Sequence, residues 1–202
     1  GAFGLQAGIL KADILINTDS EQEGEIYMGC AGGVDAKINL ALQWQEADTT
    51  QVAYTLNVSG LKGGHSGVNI HLGRGNANKI LARFLAAHAN ELGLCISHLQ
   101  GGSLRNAIPR EASCSFTLPV DKLELLQQRL AHYQDILQAE LAATEPALRL
   151  SLVDAADPIQ ILQTKAQQQL INLINSCPNG VMRMSDEVAG VVESSLNLGV
   201  IS

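Results

Sequence analysis

The middle of the chain, residues 52–153, consists of six consecutive segments whose apolar patterns match strands and helices. Apolar side chains occupy alternate positions over residues 52–58, 112–118 and 148–152, as in half-buried strands, and residues 94–99 suit a further strand. Residues 76–92 and 121–143 repeat apolar side chains at helical spacing. The order strand, helix, strand, strand, helix, strand predicts a split β-α-β, ferredoxin-like fold of the α+β class. Its four-stranded antiparallel sheet carries two helices on one face, so the other face must meet solvent or a partner.

Helix-capping signals refine this pattern. Gly93 is expected to end the first helix, and the Asp121/Glu124 pair suits a capping box for the second. Asp157 followed by Pro158 predicts the start of a third helix that ends near residue 176. A last alternating segment, residues 192–200, predicts another strand.

The first 33 residues follow a different pattern. Residues 12–17 form a nearly continuous apolar run, which favours a strand buried on both faces, as in a parallel sheet. Residues 25–31 suit a second short strand, and Gly32-Gly33 is expected to act as a hinge or linker.

Composition excludes some functions and indicates a compartment. The net charge is −7 and no Lys/Arg cluster is present, which argues against nucleic-acid binding. No apolar run reaches the roughly 18 residues of a membrane helix. The four cysteines form no C-x-x-C pair, so we expect buried free thiols and a reducing environment.

Three residues are candidates for chemistry, and each has a plainer alternative. Asp19 follows the first predicted strand, where α/β folds place ligand groups, and could bind a divalent metal or merely cap a turn. His65 is flanked by glycines in a loop, where it could donate to a developing oxyanion or be a solvated loop histidine. Asn106 could bind a substrate amide or carboxylate, or form an Asx turn ahead of Pro109.

These sites occur together in motifs that resemble the M20 metallopeptidases: NTDSE at residues 17–21, GLKGGHSG at 60–67 and RNAIP at 105–109. Residues 1–6, 23–33 and 192–197 are similar to the aminoacyl-histidine dipeptidase (Xaa-His dipeptidase, peptidase D) branch. The resemblance covers essentially the whole chain.

The resemblance implies a cytoplasmic zinc-dependent dipeptidase that cleaves Xaa-His dipeptides with metal-activated water. Asp19 would ligate one of two zinc ions, and Asn106 would bind substrate. His65 would contact the substrate carbonyl or oxyanion, often in the active site of a second subunit of a homodimer. Residues 1–33 would be the end of the first catalytic-domain segment, residues 34–180 the first half of the lid or dimerisation domain, and residues 181–202 the start of its second half.

The resemblance also implies that the general base and the other metal ligands lie outside this chain, so we expect the fragment alone to retain no zinc and no activity. Two alternatives stay open. One is a non-catalytic ferredoxin-like dimerisation or binding module. The other is a different M20 amidohydrolase or carboxypeptidase.

Overall fold

The computed structural model describes residues 4–14, 16, 23–24, 26–27 and 31–202. It divides the chain into two compact units, residues 1–37 and 38–202. The strand predicted for residues 12–17 is not found at the described positions 12–14 and 16. Ile14 and Ile16 are instead 78 % and 80 % exposed. A strand buried on both faces needs neighbouring strands, and no described residue of the first unit is in one.

The second unit contains ten strands and three α-helices. In chain order the strands are β1 Trp44–Glu46, β2 Val52–Ser59, β3 Gly64–His65, β4 Cys95–Gly101, β5 Ala107–Ile108, β6 Ala112–Leu118, β7 Arg149–Asp154, β8 Gln160–Leu162, β9 Gly180–Met184 and β10 Val192–Leu196. The helices are α1 Ala77–Leu92, α2 Leu123–Leu141 and α3 Thr164–Ser176.

The predicted ferredoxin-like sheet is confirmed. Its strand order is β4-β6-β2-β7, and all neighbouring strands are antiparallel. Leu56 faces Cys114 on β6 and Leu152 on β7 in the register of the sheet. Three further antiparallel pairs, β1-β8, β3-β5 and β9-β10, flank this sheet.

The core lies between the sheet and helices α1 and α2. The apolar stripe predicted for α1 is buried, and Gly93 ends that helix with a φ of 64°. Leu126, Leu130 and Tyr133 bury the facing side of α2. The sheet's other face is polar: the Thr55 and Ser115 hydroxyls share a hydrogen bond of 2.8 Å across β2 and β6. The helices therefore cover one face of the sheet, as predicted.

Two of the predicted caps are wrong. Helix α2 is preceded by a 3-10 turn, Val120–Lys122, and has no side-chain cap hydrogen bond, so Asp121 and Glu124 form no capping box there. Helix α3 begins at Thr164 rather than after Asp157. The intervening residues form β8, whose Ile161 and Leu162 are each only 2 % exposed and pair with β1. Burial of these two side chains therefore overrides the Asp-Pro helix signal.

Among the described residues, no helix combines the length and the apolar character needed to cross a membrane.

Candidate functional site

His65 and Asn106 lie on two neighbouring backbone segments, although they are 41 positions apart in the chain. Strand β3 pairs with β5, so that Gly64 faces Ile108 and His65 faces Ala107. The N–H of Ser66 also donates to the carbonyl oxygen of Asn106, at 2.9 Å. This short ladder places the two predicted site residues side by side at an exposed edge.

The imidazole of His65 is oriented by its own loop. Its Nδ1 accepts hydrogen bonds from the backbone N–H groups of Gly67, at 3.0 Å, and Val68, at 3.2 Å. A ring nitrogen that accepts carries no proton, so the neutral ring holds its proton on Nε2. Nε2 has no hydrogen-bond partner among the described residues, and the side chain is exposed. The loop therefore presents an N–H donor outward.

Two glycines make this loop possible. Gly63 and Gly64 have φ values of 62° and 141°, which L side chains rarely adopt. A Cβ at Gly63 would lie 2.2 Å from Cγ of Arg110, and one at Gly64 would lie 2.4 Å from Nη1 of Arg74. Arg74 occupies that space because it donates to the carbonyl of Gly63. The glycine-rich sequence thus allows arginine side chains to pack directly against the backbone before His65.

Asn106 lies at the end of a turn, where the N–H of Ala107 donates to the carbonyl of Leu104 at 3.2 Å. Its side chain is exposed and makes no hydrogen bond within the described part of the chain. An amide in this position offers both donors and an acceptor to a ligand. The turn is closed by the backbone alone and is not the Asx turn of the plainer alternative, because no side-chain hydrogen bond of Asn106 is found among the described residues. The side-chain amide is therefore available to a ligand.

Asp19 lies outside the described residues, so its metal-binding role stays a prediction. Across residues 4–14, 16, 23–24, 26–27 and 31–202, no three His, Cys, Asp or Glu side chains converge as a metal site would require.

Sequence reasoning missed two polar residues that hold these segments in place. Asn197 donates from Nδ2 to the carbonyl of Ala107, at 2.8 Å, and so fixes the backbone next to Asn106. Glu145 is only 2 % exposed and accepts hydrogen bonds from the N–H groups of Lys62 and Gly75, at 2.8 and 2.9 Å. Each of these side chains bonds to backbone groups more than 65 positions away in the sequence. A local sequence pattern cannot reveal such distant partners.

Asn197 belongs to a wider asparagine cluster at the N-terminus of α1. Asn76 caps that helix by accepting from the N–H of Lys79, and its own amide donates to Asn179 at 2.8 Å. Asn78 donates to the carbonyl of Leu198 at 3.1 Å. These bonds attach the segment after β10 to the start of α1, and the segment in turn supports β5.

Comparison with known proteins agrees with this fold. Residues 56–145 match the family model described as the M20 peptidase dimerisation domain. The whole chain is 52 % identical to the cytosol non-specific dipeptidase of Escherichia coli (strain K12). Residues 56–145 form an M20-type peptidase dimerisation domain. The chain as a whole also superposes on the crystal structure of aminoacylhistidine dipeptidase from Vibrio alginolyticus, with a TM-score of 0.86. The two sequences are 50 % identical over the full length of the present chain.

The coverage of these relatives is partial. The chain spans 42 % of the length of the Escherichia coli dipeptidase and 41 % of the Vibrio alginolyticus chain. The predicted resemblance to M20 dipeptidases is confirmed for the portion that aligns. The zinc ions, the subunit arrangement and the roles of individual residues stay predictions.

Proposed function

We propose that this chain is the lid-bearing part of a cytoplasmic zinc-dependent dipeptidase that hydrolyses Xaa-His dipeptides. The observation that supports this most strongly is the pairing of β3 with β5 in a chain about half identical to two dipeptidases. The pairing brings an outward imidazole N–H and an unoccupied amide to one exposed edge. These are the groups needed to hold a small peptide by its carbonyl and its main-chain polar atoms.

In this proposal His65 donates its Nε2–H to the oxygen of the scissile carbonyl. The hydrogen bond strengthens as negative charge develops on that oxygen, so it lowers the barrier more than it tightens substrate binding. The two N–H groups on Nδ1 hold the ring in one tautomer, which keeps the donor aimed without reorganisation. Asn106 binds the substrate main chain and fixes its direction.

Asp19 is the residue of this chain proposed to hold metal. Two zinc ions, when bound, would polarise the carbonyl and lower the pKa of a water to about 7. A catalytic zinc takes about three protein ligands, of which Asp19 supplies one. The 202-residue chain alone is therefore expected to show no peptidase activity. Zinc-dependent hydrolysis of β-alanyl-histidine by the pure chain would contradict this expectation.

The role of His65 is tested in the full-length enzyme. His65→Ala should lower kcat by about 100- to 1,000-fold, as removal of an oxyanion donor does, with KM and bound zinc little changed. His132→Ala, which changes an exposed histidine on α2, is the matched control and should leave kcat unchanged. If His65→Ala instead removes zinc, the assigned role is wrong.

A second proposed role is homodimer formation, favoured by the family model that matches residues 56–145. A dimer would let His65 serve the active site of the partner subunit. Sedimentation of the full-length enzyme tests the assembly. Mixing a His65→Ala subunit with an Asp19→Ala subunit tests whether His65 acts in the partner's active site. If it does, one site of each mixed dimer contains both an intact Asp19 and an intact His65, and activity returns. If His65 acts within its own subunit, both sites of the mixed dimer lack one of the two residues, and activity does not return.

A further inference from the structure

The carboxylate of Glu145 closes the base of the loop that carries His65. Glu145 follows α2 in a turn, where its N–H donates to the carbonyl of Leu141 at 2.7 Å. Carboxylates are almost never this deeply buried unless they are paired. Here the partners are the backbone N–H groups of Lys62 and Gly75, one for each carboxylate oxygen. These two residues lie on either side of the segment 63–74.

A glutamate carboxylate at position 145 suits these two N–H donors better than a glutamine or an aspartate side chain would. Each oxygen of an ionised carboxylate accepts, and a hydrogen bond to a charged acceptor is roughly twice as strong as a neutral one. A glutamine at position 145 would turn an N–H₂ group toward one of the backbone N–H groups. An aspartate is shorter by one methylene and would not reach both ends of the loop.

Close packing on both sides of Glu145 limits how far the loop base can move. A Cβ at Gly60 would lie only 2.0 Å from the carbonyl oxygen of Ala147, so the two backbones are in direct contact. A Cβ at Gly75 would lie 2.8 Å from Cδ2 of Leu61. The ends of the loop therefore approach each other closely, and Glu145 joins them through both of its oxygens.

We infer that Glu145 is a positioning residue, which fixes the two anchor points of the loop and thereby the direction of the His65 Nε2–H. Strand β3 begins two residues after Lys62, so a shift at this anchor is transmitted to His65 within a few bonds. The inference rests on the proposed role of His65 in the dipeptidase, and it assigns Glu145 no contact with substrate.

The experiment compares Glu145→Ala, Glu145→Gln and the control Glu140→Gln in the full-length enzyme. Glu140 lies on the last turn of α2, five residues before Glu145, and its carboxylate pairs with Arg83 on the surface at 2.8 Å rather than with the backbone N–H groups of Lys62 and Gly75. We expect Glu145→Ala to lower kcat by about 10- to 100-fold with KM changed less than about twofold, because a misplacement near 1 Å costs up to that factor. Glu145→Gln should lose less, and Glu140→Gln should match the wild type.

A double variant separates positioning from general structural damage. If Glu145 acts through His65, then Glu145→Ala added to His65→Ala causes no further fall in kcat. An additional fall equal to that of the single variant, or a wild-type kcat for Glu145→Ala, would overturn the inference. A wild-type kcat for His65→Ala would instead overturn the proposed function. If Glu145→Ala fails to fold, Glu145→Gln is compared in the same way, alone and combined with His65→Ala. Circular dichroism and the amount of bound zinc then check that each variant is folded.

Discussion

Gly64 offers a quantitative test of how rigid the His65 loop must be. Its φ of 141° costs an alanine about 1–3 kcal/mol. The added Cβ would also lie 2.4 Å from Arg74 and 2.8 Å from Oδ1 of Asn69. Movement of Arg74 away from the new Cβ breaks its hydrogen bond to the Gly63 carbonyl. Movement of Asn69 breaks the hydrogen bond that its Oδ1 accepts from the His65 N–H.

Each lost hydrogen bond contributes about 0.5–1.5 kcal/mol, so Gly64→Ala should lower the free energy of unfolding by about 2–6 kcal/mol. Gly73 in the same loop is the matched control. It has a φ of 65°, and the nearest atom to an added Cβ is 3.9 Å away. Gly73→Ala should therefore cost only the backbone strain of about 1–2 kcal/mol.

Urea unfolding of the chain, followed by circular dichroism, measures both free energies. In the full-length enzyme Gly64→Ala should also lower kcat by about 100-fold, because the imidazole is displaced, whereas Gly73→Ala should not. Equal stability losses in the two variants, together with an unchanged kcat for Gly64→Ala, would refute the idea that close packing around Gly64 sets the position of His65.

Three further predictions concern the scaffold. Tyr133→Phe removes a hydroxyl that donates to the Ile80 carbonyl and accepts from Arg83, both at 2.9 Å, and should lower the free energy of unfolding by about 1–3 kcal/mol in urea titrations. Lys79→Met removes an ammonium that donates to three carbonyls at the end of α3, including that of Cys177, and should lower the melting temperature by several degrees. Burial raises the pKa of the Cys114 thiol far above its usual range, so the folded state keeps its proton at a pH where the unfolded state loses it. Stability should therefore fall above about pH 9 by up to about 1.4 kcal/mol per pH unit, and Cys114→Ala should reduce that slope.

The sheet and helices α1 and α2 were predictable because their signals are local and repeated. The α1 stripe and the stop at Gly93 need only nearby residues to be recognised, and both are confirmed. The Asp157-Pro158 signal failed because the pairing of β8 with β1 joins residues more than a hundred positions apart. Local preference cannot anticipate a strand that forms only when a distant segment is in place.

In the candidate site, too, the local features could be predicted from the sequence and the long-range contacts could not. The glycines around His65 and the M20-like motifs that contain His65 and Asn106 were visible in the sequence, and they justified the choice of these two residues. Their proximity was not derivable from the pattern, because β3 and β5 are two residues long and show no alternation. Glu145 was hidden for a different reason: a buried carboxylate satisfied by backbone N–H groups looks in sequence like any surface glutamate.

The hydrogen bond from Asn197 to Ala107 spans 90 positions, and this separation has a consequence during synthesis. Ribosomes add about 5–20 residues per second, so the segment beside Asn106 waits about 5–18 s for the asparagine that secures it. During that interval the sheet can already be assembled while the edge with His65 and Asn106 is incomplete. A nascent chain of this protein would therefore acquire its fold before its recognition surface, and translation pauses in that window would lengthen its exposure to chaperones.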